Sequence, residues 1–171
     1  MVPSQWKTAV ITPVAKVKQL AQPSDFRPIS VTPVLSRMLE RFIVKSFIYP
    51  AIQLPNSKLF FDDQYAFKPT GSTTAKLVAI LHTVSNMLSS NPYVRVFSLD
   101  FSKVFNIVGH NTLMEKLSEL SIPDHIYNCI HNRTHSTKFA KKVSKVSAVT
   151  ASIIEGSGLG PAAYLVTAAD L

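Results

Sequence analysis

The segment SLDFSKVFN, residues 98–106, places a carboxylate at the end of an apolar run. Residues 94–99 read VRVFSL, Asp100 follows, and Phe105 stands five positions further on. A carboxylate fixed at the end of a strand is what two-metal phosphoryl transfer needs to hold a divalent ion against phosphates. The same residue type in the same place also serves as a helix cap or turn residue, and the local sequence leaves both readings open. Arg27 lies in a proline-bounded segment and Lys16 follows an apolar stretch. Each is a cation beside stiff backbone, suited to a triphosphate or equally to plain surface charge. Gly156, Gly158 and Gly160 allow backbone to approach a ligand closely, although their spacing is not that of a dinucleotide fingerprint. Residues 131–146, HNRTHSTKFAKKVSKV, carry five cations and no acid: Arg133, Lys138, Lys141, Lys142 and Lys145. That stripe suits a phosphate backbone, and it also suits a strand edge guarded by lysines.

These residues need a scaffold, and the patterning supplies a mixed one. TAVITPVAKV, residues 8–17, reads as extended strand broken at Pro13, with Pro23 and Pro28 shaping a turn and a second extended segment. Helical spacing takes over from Pro33 at N1, with Val34, Leu35, Met38, Leu39 and Phe42 as the apolar side. Arg37, Glu40, Arg41 and Lys45 form the polar side, and Pro50 and Pro55 close the segment. A second helix starts at Ser72 or Thr73, with Leu77, Leu81, Val84 and Leu88 as its stripe. Residues 94–99 are the best strand in the chain. Asn111 caps a helix with Leu113, Leu117 and Leu120 inward, Pro123 stops it, and residues 124–131 add one or two helical turns. Residues 137–143 and 149–155 read as two more strands, and the glycine cluster leads into a helix at Pro161. The order predicts an α+β fold.

Composition narrows the class. Eighteen Lys and Arg against ten acids give a net charge of +8 over 171 residues, a surplus that favours polyanionic partners. Cys129 is the single cysteine, so disulfide frameworks and cysteine zinc sites are excluded, and a reducing, intracellular setting is the simpler expectation. No apolar run reaches the length of a membrane span, and no secretory leader is evident.

Five blocks, in order, resemble the reverse transcriptase domain of non-LTR retrotransposons of the jockey type. They are WKTAVITPVAK, DFRPISVTPVLSRMLERFI, DDQYAFKPTGSTTAKL, VFSLDFSKVFNIVGHNTLMEKL and IIEGSGLGPAAYLVTAADL, and they cover almost the whole chain. The resemblance implies a partial right-hand polymerase fold, fingers plus the front part of the palm. Residues 1–93 would be fingers-like, 94–124 the palm strand and helix, 125–155 a fingers or insertion hairpin, and 156–171 the start of a palm helix. It implies RNA-directed DNA synthesis on an RNA template from a DNA primer, with dNTPs and Mg²⁺. It makes Asp100 the first catalytic, metal-binding carboxylate and Phe101 a carbonyl donor near the second metal. Phe105 would pack beneath the incoming sugar, Lys16 and Arg27 would face the triphosphate, and Glu155, Gly156 and Ser157 would line the nucleotide. Arg133, Lys138, Lys141, Lys142 and Lys145 would meet nucleic acid.

Three departures qualify this. Where the family reads FSKAFDTV, this chain has Val104 and Asn106; where the family has Gln before GSGLGP, it has Glu155, which adds repulsion toward a triphosphate. The family's aromatic-x-Asp-Asp hairpin follows the glycine block, and the sequence ends at Leu171 before it. FFDD at residues 60–63 has the right letters but precedes Asp100, so Asp62 and Asp63 are expected to be turn or capping residues. Two divalent ions about 4 Å apart repel by roughly 16 kcal/mol at an effective dielectric near 20. One carboxylate offsets too little of that, and the chain by itself is expected to be inactive. The alternative is a non-catalytic nucleic-acid-binding remnant of an element. Either is expected in the nucleus or cytoplasm, without a membrane.

Overall fold

A computed structural model describes residues 2–54, 59–100, 108–152 and 156–170. The β-branched stretch Thr8–Ala15 forms β1 and Phe26–Val31 forms β2. They pair antiparallel, Val10 facing Val31 and Ala15 facing Phe26. Pro13 faces Pro28 in this ladder. Neither ring has an N–H, so they can oppose each other only where no backbone bonds are exchanged. On its other side β1 takes a parallel strand, β3 (Thr134–Phe139), over Thr8–Ile11 against Thr134–Thr137. That pairing ends before Pro13, whose missing donor cannot serve a second neighbour. β4 (Lys142–Val143) pairs with the end of β3 and β5 (Ser147–Ala148) with its start, both antiparallel. The result is a mixed sheet ordered β2-β1-β3-β4.

The helices carry most of the core. α1 (Val34–Ile43) continues through a π-type turn, Val44–Ile48, into α2 (Tyr49–Ile52). After α3 (Thr73–Leu88) come α4 (His110–Glu119), α5 (Asp124–Ile130) and α6 (Gly160–Thr167). Ile43, Ile48, Leu117, Ile126, Ile130, Leu165 and Val166 pack as one buried cluster. α6 is apolar on nearly every face, as a helix at the centre of a core must be. No helix among the described residues is long and apolar enough to cross a membrane.

Four expectations need correction. α1 turns a different face inward: Ser36, Glu40 and Ile43 are buried and Leu39 partly so, while Val34, Leu35, Met38 and Phe42 are exposed. Amphipathic spacing reveals a stripe but not which neighbour claims it: of the expected polar side Glu40 alone is buried, in the ion pair described below, while Arg37, Arg41 and Lys45 are exposed. Among the described residues, 94–99 join no ladder, and Phe97 and Leu99 are each 84% exposed. β-propensity measures fit to a partner strand, and this segment pairs with none of the sheet's strands. Residues 137–143 are no single strand but the β3–β4 hairpin, turned at Ala140 with φ 53°. Of the strand expected at 149–155, the described part makes a lone bridge, Ala151 to Gly109. Helix starts fared better: Ser72 caps α3 by accepting the Ala75 N–H at 3.0 Å, although α4 begins after Gly109, two residues before Asn111. None of the α3 stripe is buried.

Candidate nucleic-acid interface

The parallel pairing of β1 and β3 brings their C-terminal ends to one end of the sheet, and antiparallel β2 begins there. Lys16 follows β1, Arg27 faces Val14 from β2, Lys138 lies near the end of β3, and Lys141 and Lys142 form the hairpin beyond it. Lys145 follows Ser144, whose N–H bonds the Thr137 carbonyl at 2.9 Å. All six cations are exposed. The Phe26 and Phe139 rings meet edge to face at 5.6 Å, which ties β2 to the hairpin, and Phe139 is 54% exposed. A flat apolar ring among cations is the composition that single-stranded nucleic acid favours, phosphates on the cations and bases on the ring.

Asp25, which precedes β2 at this end, is occupied. Asp25 accepts the Ala21 and Gln22 N–H groups at 2.9 Å each. Those two bonds, with a smaller contribution from Lys16, hold its carboxyl below the ordinary carboxylate value. Lys16 closes the same turn, donating from Nζ to the Ser24 carbonyl at 3.0 Å. An ammonium has three N–H groups, so that bond does not exhaust it.

Arg133 does not belong to this surface. It is 9% exposed and its guanidinium pairs through Nη1 with Glu40 Oε1. Its Nε is buried without a partner among the described residues, beside a cavity of ≈30 Å³ lined by His110, Ser157 and Ala163. Charge pattern alone grouped it with the lysines; burial separates it from them.

The glycine-rich loop lies elsewhere, against α1 and β2. Gly156 has φ +83°, a conformation glycine tolerates, and sits near the Ser30 carbonyl. Ser157 is buried, and its hydroxyl accepts the Gly160 N–H at 3.0 Å, serving the first turn of α6 rather than facing solvent. Gly158 donates its N–H to Glu40 Oε2 at 2.7 Å. Nothing in the sequence signalled Glu40 as a partner of either group, because both lie roughly a hundred residues away: 93 for Arg133 and 118 for Gly158.

Asp100 is exposed at the end of the unpaired segment. Phe101, Phe105 and Glu155 lie outside the described residues. Asp62 and Asp63 are exposed near the Phe61 turn, where the Lys68 ammonium bonds the Phe61 carbonyl at 2.9 Å. Among the described residues no three His, Cys, Asp or Glu side chains gather where they could hold a metal ion. One carboxylate does not make a divalent site, so the described donors do not fit one.

Comparison with known proteins places the chain. The profile of the family described as "Reverse transcriptase (RNA-dependent DNA polymerase)" matches residues 14–171. The chain is 26% identical to the "Probable RNA-directed DNA polymerase from transposon BS" of Drosophila melanogaster, over 99% of this chain and 19% of that protein. It is 28% identical to the "RNA-directed DNA polymerase from mobile element jockey" of Drosophila funebris, again over 99% and 19%. It also matches the "Retrovirus-related Pol polyprotein from type-1 retrotransposable element R2" of Popillia japonica, at 26% identity over 75% of this chain and 17% of that one. The chain thus spans about a fifth of the length of the first two relatives.

Proposed function

The chain belongs to the reverse transcriptase family, and on that premise we propose that it is the fingers and front palm of an RNA-directed DNA polymerase from a non-LTR retrotransposon. Residues 1–93 and the hairpin within 125–155 supply the fingers, residues 94–124 the palm segment bearing Asp100, and residues 156–171 the start of a palm helix. The observation that carries this reading is the gathering of Lys16, Arg27 and the hairpin lysines at one end of the mixed sheet. There they neutralise the phosphates of an RNA template, a DNA primer or a dNTP, and Phe139 offers a stacking face.

Reverse transcriptases work with a divalent metal, and Mg²⁺ is the ion we propose for the parent enzyme. The described residues do not assemble a donor set for it, so no metal-dependent step is assigned to them. We propose that this polypeptide alone binds nucleic acid without extending a primer. The same observation favours a second reading, a nucleic-acid-binding remnant that keeps the basic surface without the chemistry.

Two assays test these statements. Binding of a single-stranded RNA oligonucleotide should weaken steeply as salt rises, and a salt-independent interaction would remove the basic end from consideration. A primer-extension assay with Mg²⁺ and dNTPs should yield no product. Synthesis that vanishes in Asp100→Ala would sink the claim of inactivity.

A further inference from the structure

We propose that Glu40 is the positioning residue of the glycine-rich loop: buried in α1, it divides its carboxylate between Arg133 and the Gly158 N–H, and so sets where residues 156–160 stand. The inference rests on reading that loop as a lining of the nucleotide site. Glu40 is 1% exposed, and a carboxylate that deep persists as a charge only when paired and hydrogen-bonded. Its two oxygens have different partners. Oε1 takes the Arg133 guanidinium and Oε2 takes Gly158 N–H at 2.7 Å. Ser36 Oγ lies 3.4 Å from Oε1 but 2.7 Å from the Trp6 carbonyl. A hydroxyl has one proton, and the shorter bond claims it. Arg133 and Gly158 are therefore the donors that matter.

A second feature presses the same residue onto the same helix. A Cβ at Gly158 would stand 3.0 Å from the Arg37 carbonyl oxygen and 3.0 Å from the Arg41 backbone nitrogen. The loop has no room to move inward, and the carboxylate keeps it from moving outward. Just before it, Gly156 lies in left-handed backbone and Ser157 is tied to Gly160. A displacement at residue 158 must therefore pass to its neighbours.

Glutamine at position 40 cannot do the same work. Its amide has one acceptor oxygen, and its NH₂ would meet either the guanidinium or the Gly158 N–H, donor against donor. The charged guanidinium makes the stronger bond and claims that oxygen, so Glu40→Gln sets the NH₂ against Gly158 N–H and frees the loop without changing side-chain size. Gly158→Ala pushes the loop off α1 and leaves the Glu40–Arg133 pair intact.

The test is amide hydrogen exchange by NMR on the isotope-labelled chain, with a dNTP titration followed on the Gly156–Gly158 amides. In Glu40→Gln the Gly158 amide should exchange at least about tenfold faster relative to the α6 amides, the effect of losing a hydrogen bond to a charged group. The dNTP midpoint should rise by a similar factor. An acceleration at Gly158 no larger than that in α6 would reduce Glu40 to a fold-stabilising residue and overturn the proposal. Should Glu40→Gln fail to fold, Gly158→Ala decides: a raised dNTP midpoint supports positioning, and an unchanged one overturns it. If the wild-type loop amides ignore dNTP while Gly158 exchange rises in Glu40→Gln, positioning stands and the nucleotide-lining reading falls.

Discussion

Replacing Arg133 with methionine separates two roles that its charge could serve. By sequence it stands in a run with Lys138, Lys141, Lys142 and Lys145; in the structure it is 9% exposed and paired with Glu40, itself 1% exposed. Methionine preserves much of the buried volume but strands the Glu40 carboxylate, leaving Gly158 N–H as its remaining strong donor. Deleting one partner of a buried pair costs about 3–5 kcal/mol. For a chain of this size each kcal/mol moves the melting midpoint by about 2–4 °C, so a fall of roughly 6–20 °C is expected. Lys141 is exposed, and Lys141→Ala should leave stability within about 0.5 kcal/mol. RNA binding should invert the pattern. Each phosphate neutralised on a single strand contributes about −0.7 to the slope of log K against log salt. Lys141→Ala should flatten the slope by about that amount, and Arg133→Met should leave it alone where the variant is folded. Thermal unfolding measures the first quantity and fluorescence anisotropy, from about 50 to 200 mM salt, the second. A flattened slope with an unchanged midpoint in Arg133→Met would place the guanidinium on the nucleic acid and refute the argument from burial.

Three further outcomes follow from single sites. Leu165 is 0% exposed in α6, so Leu165→Ala should destabilise the fold by about 2–5 kcal/mol in denaturant titrations; a smaller loss would mean that α6 is not the centre of the core. Asp25 has its carboxyl held below the ordinary value of 3.8, chiefly by the Ala21 and Gln22 N–H groups. Its contribution is therefore fully present above 3.8 and is lost as pH falls through the depressed value, and amide exchange at Ala21 and Gln22 should show protection disappearing in that acid range. Exchange that is insensitive to pH there, after correction for the intrinsic rate, would contradict the bonding. Asp100→Ala should leave the urea midpoint unchanged, because the residue is exposed; a loss well beyond about 0.5 kcal/mol would show that Asp100 supports the fold.

Local chemistry was the legible part. Ser72 announced α3 because a serine before a helix has one simple use, and Pro161 sits in the first turn of α6 because a missing N–H costs nothing there. The collinear blocks pointed to the family that residues 14–171 match. What could not be read was whatever depends on a distant neighbour. The apolar stripe of α1 predicted its buried face, yet most of that stripe is exposed and Glu40 is buried with a partner 93 positions away. Residues 94–99 have strand composition, but a ladder needs a second strand, and composition does not supply one. Ser157 also accepts the Gly160 N–H, a local helix-end bond that its place in the glycine block did not announce. At the lysine hairpin, strand direction brought Lys16 and Arg27 to the same end as Lys138, a proximity that only the parallel β1–β3 pairing creates.

That pairing also sets a clock. Thr8 and Thr134, whose hydroxyls meet at 2.9 Å, are 126 residues apart. During synthesis at about 5–20 residues per second, the edge of β1 waits roughly 6–25 s for its parallel neighbour. Until then Thr8–Ile11 offer open backbone donors and acceptors to any extended chain that arrives first. The strand that seats the basic end of the sheet is thus also one left open to mispairing on the ribosome.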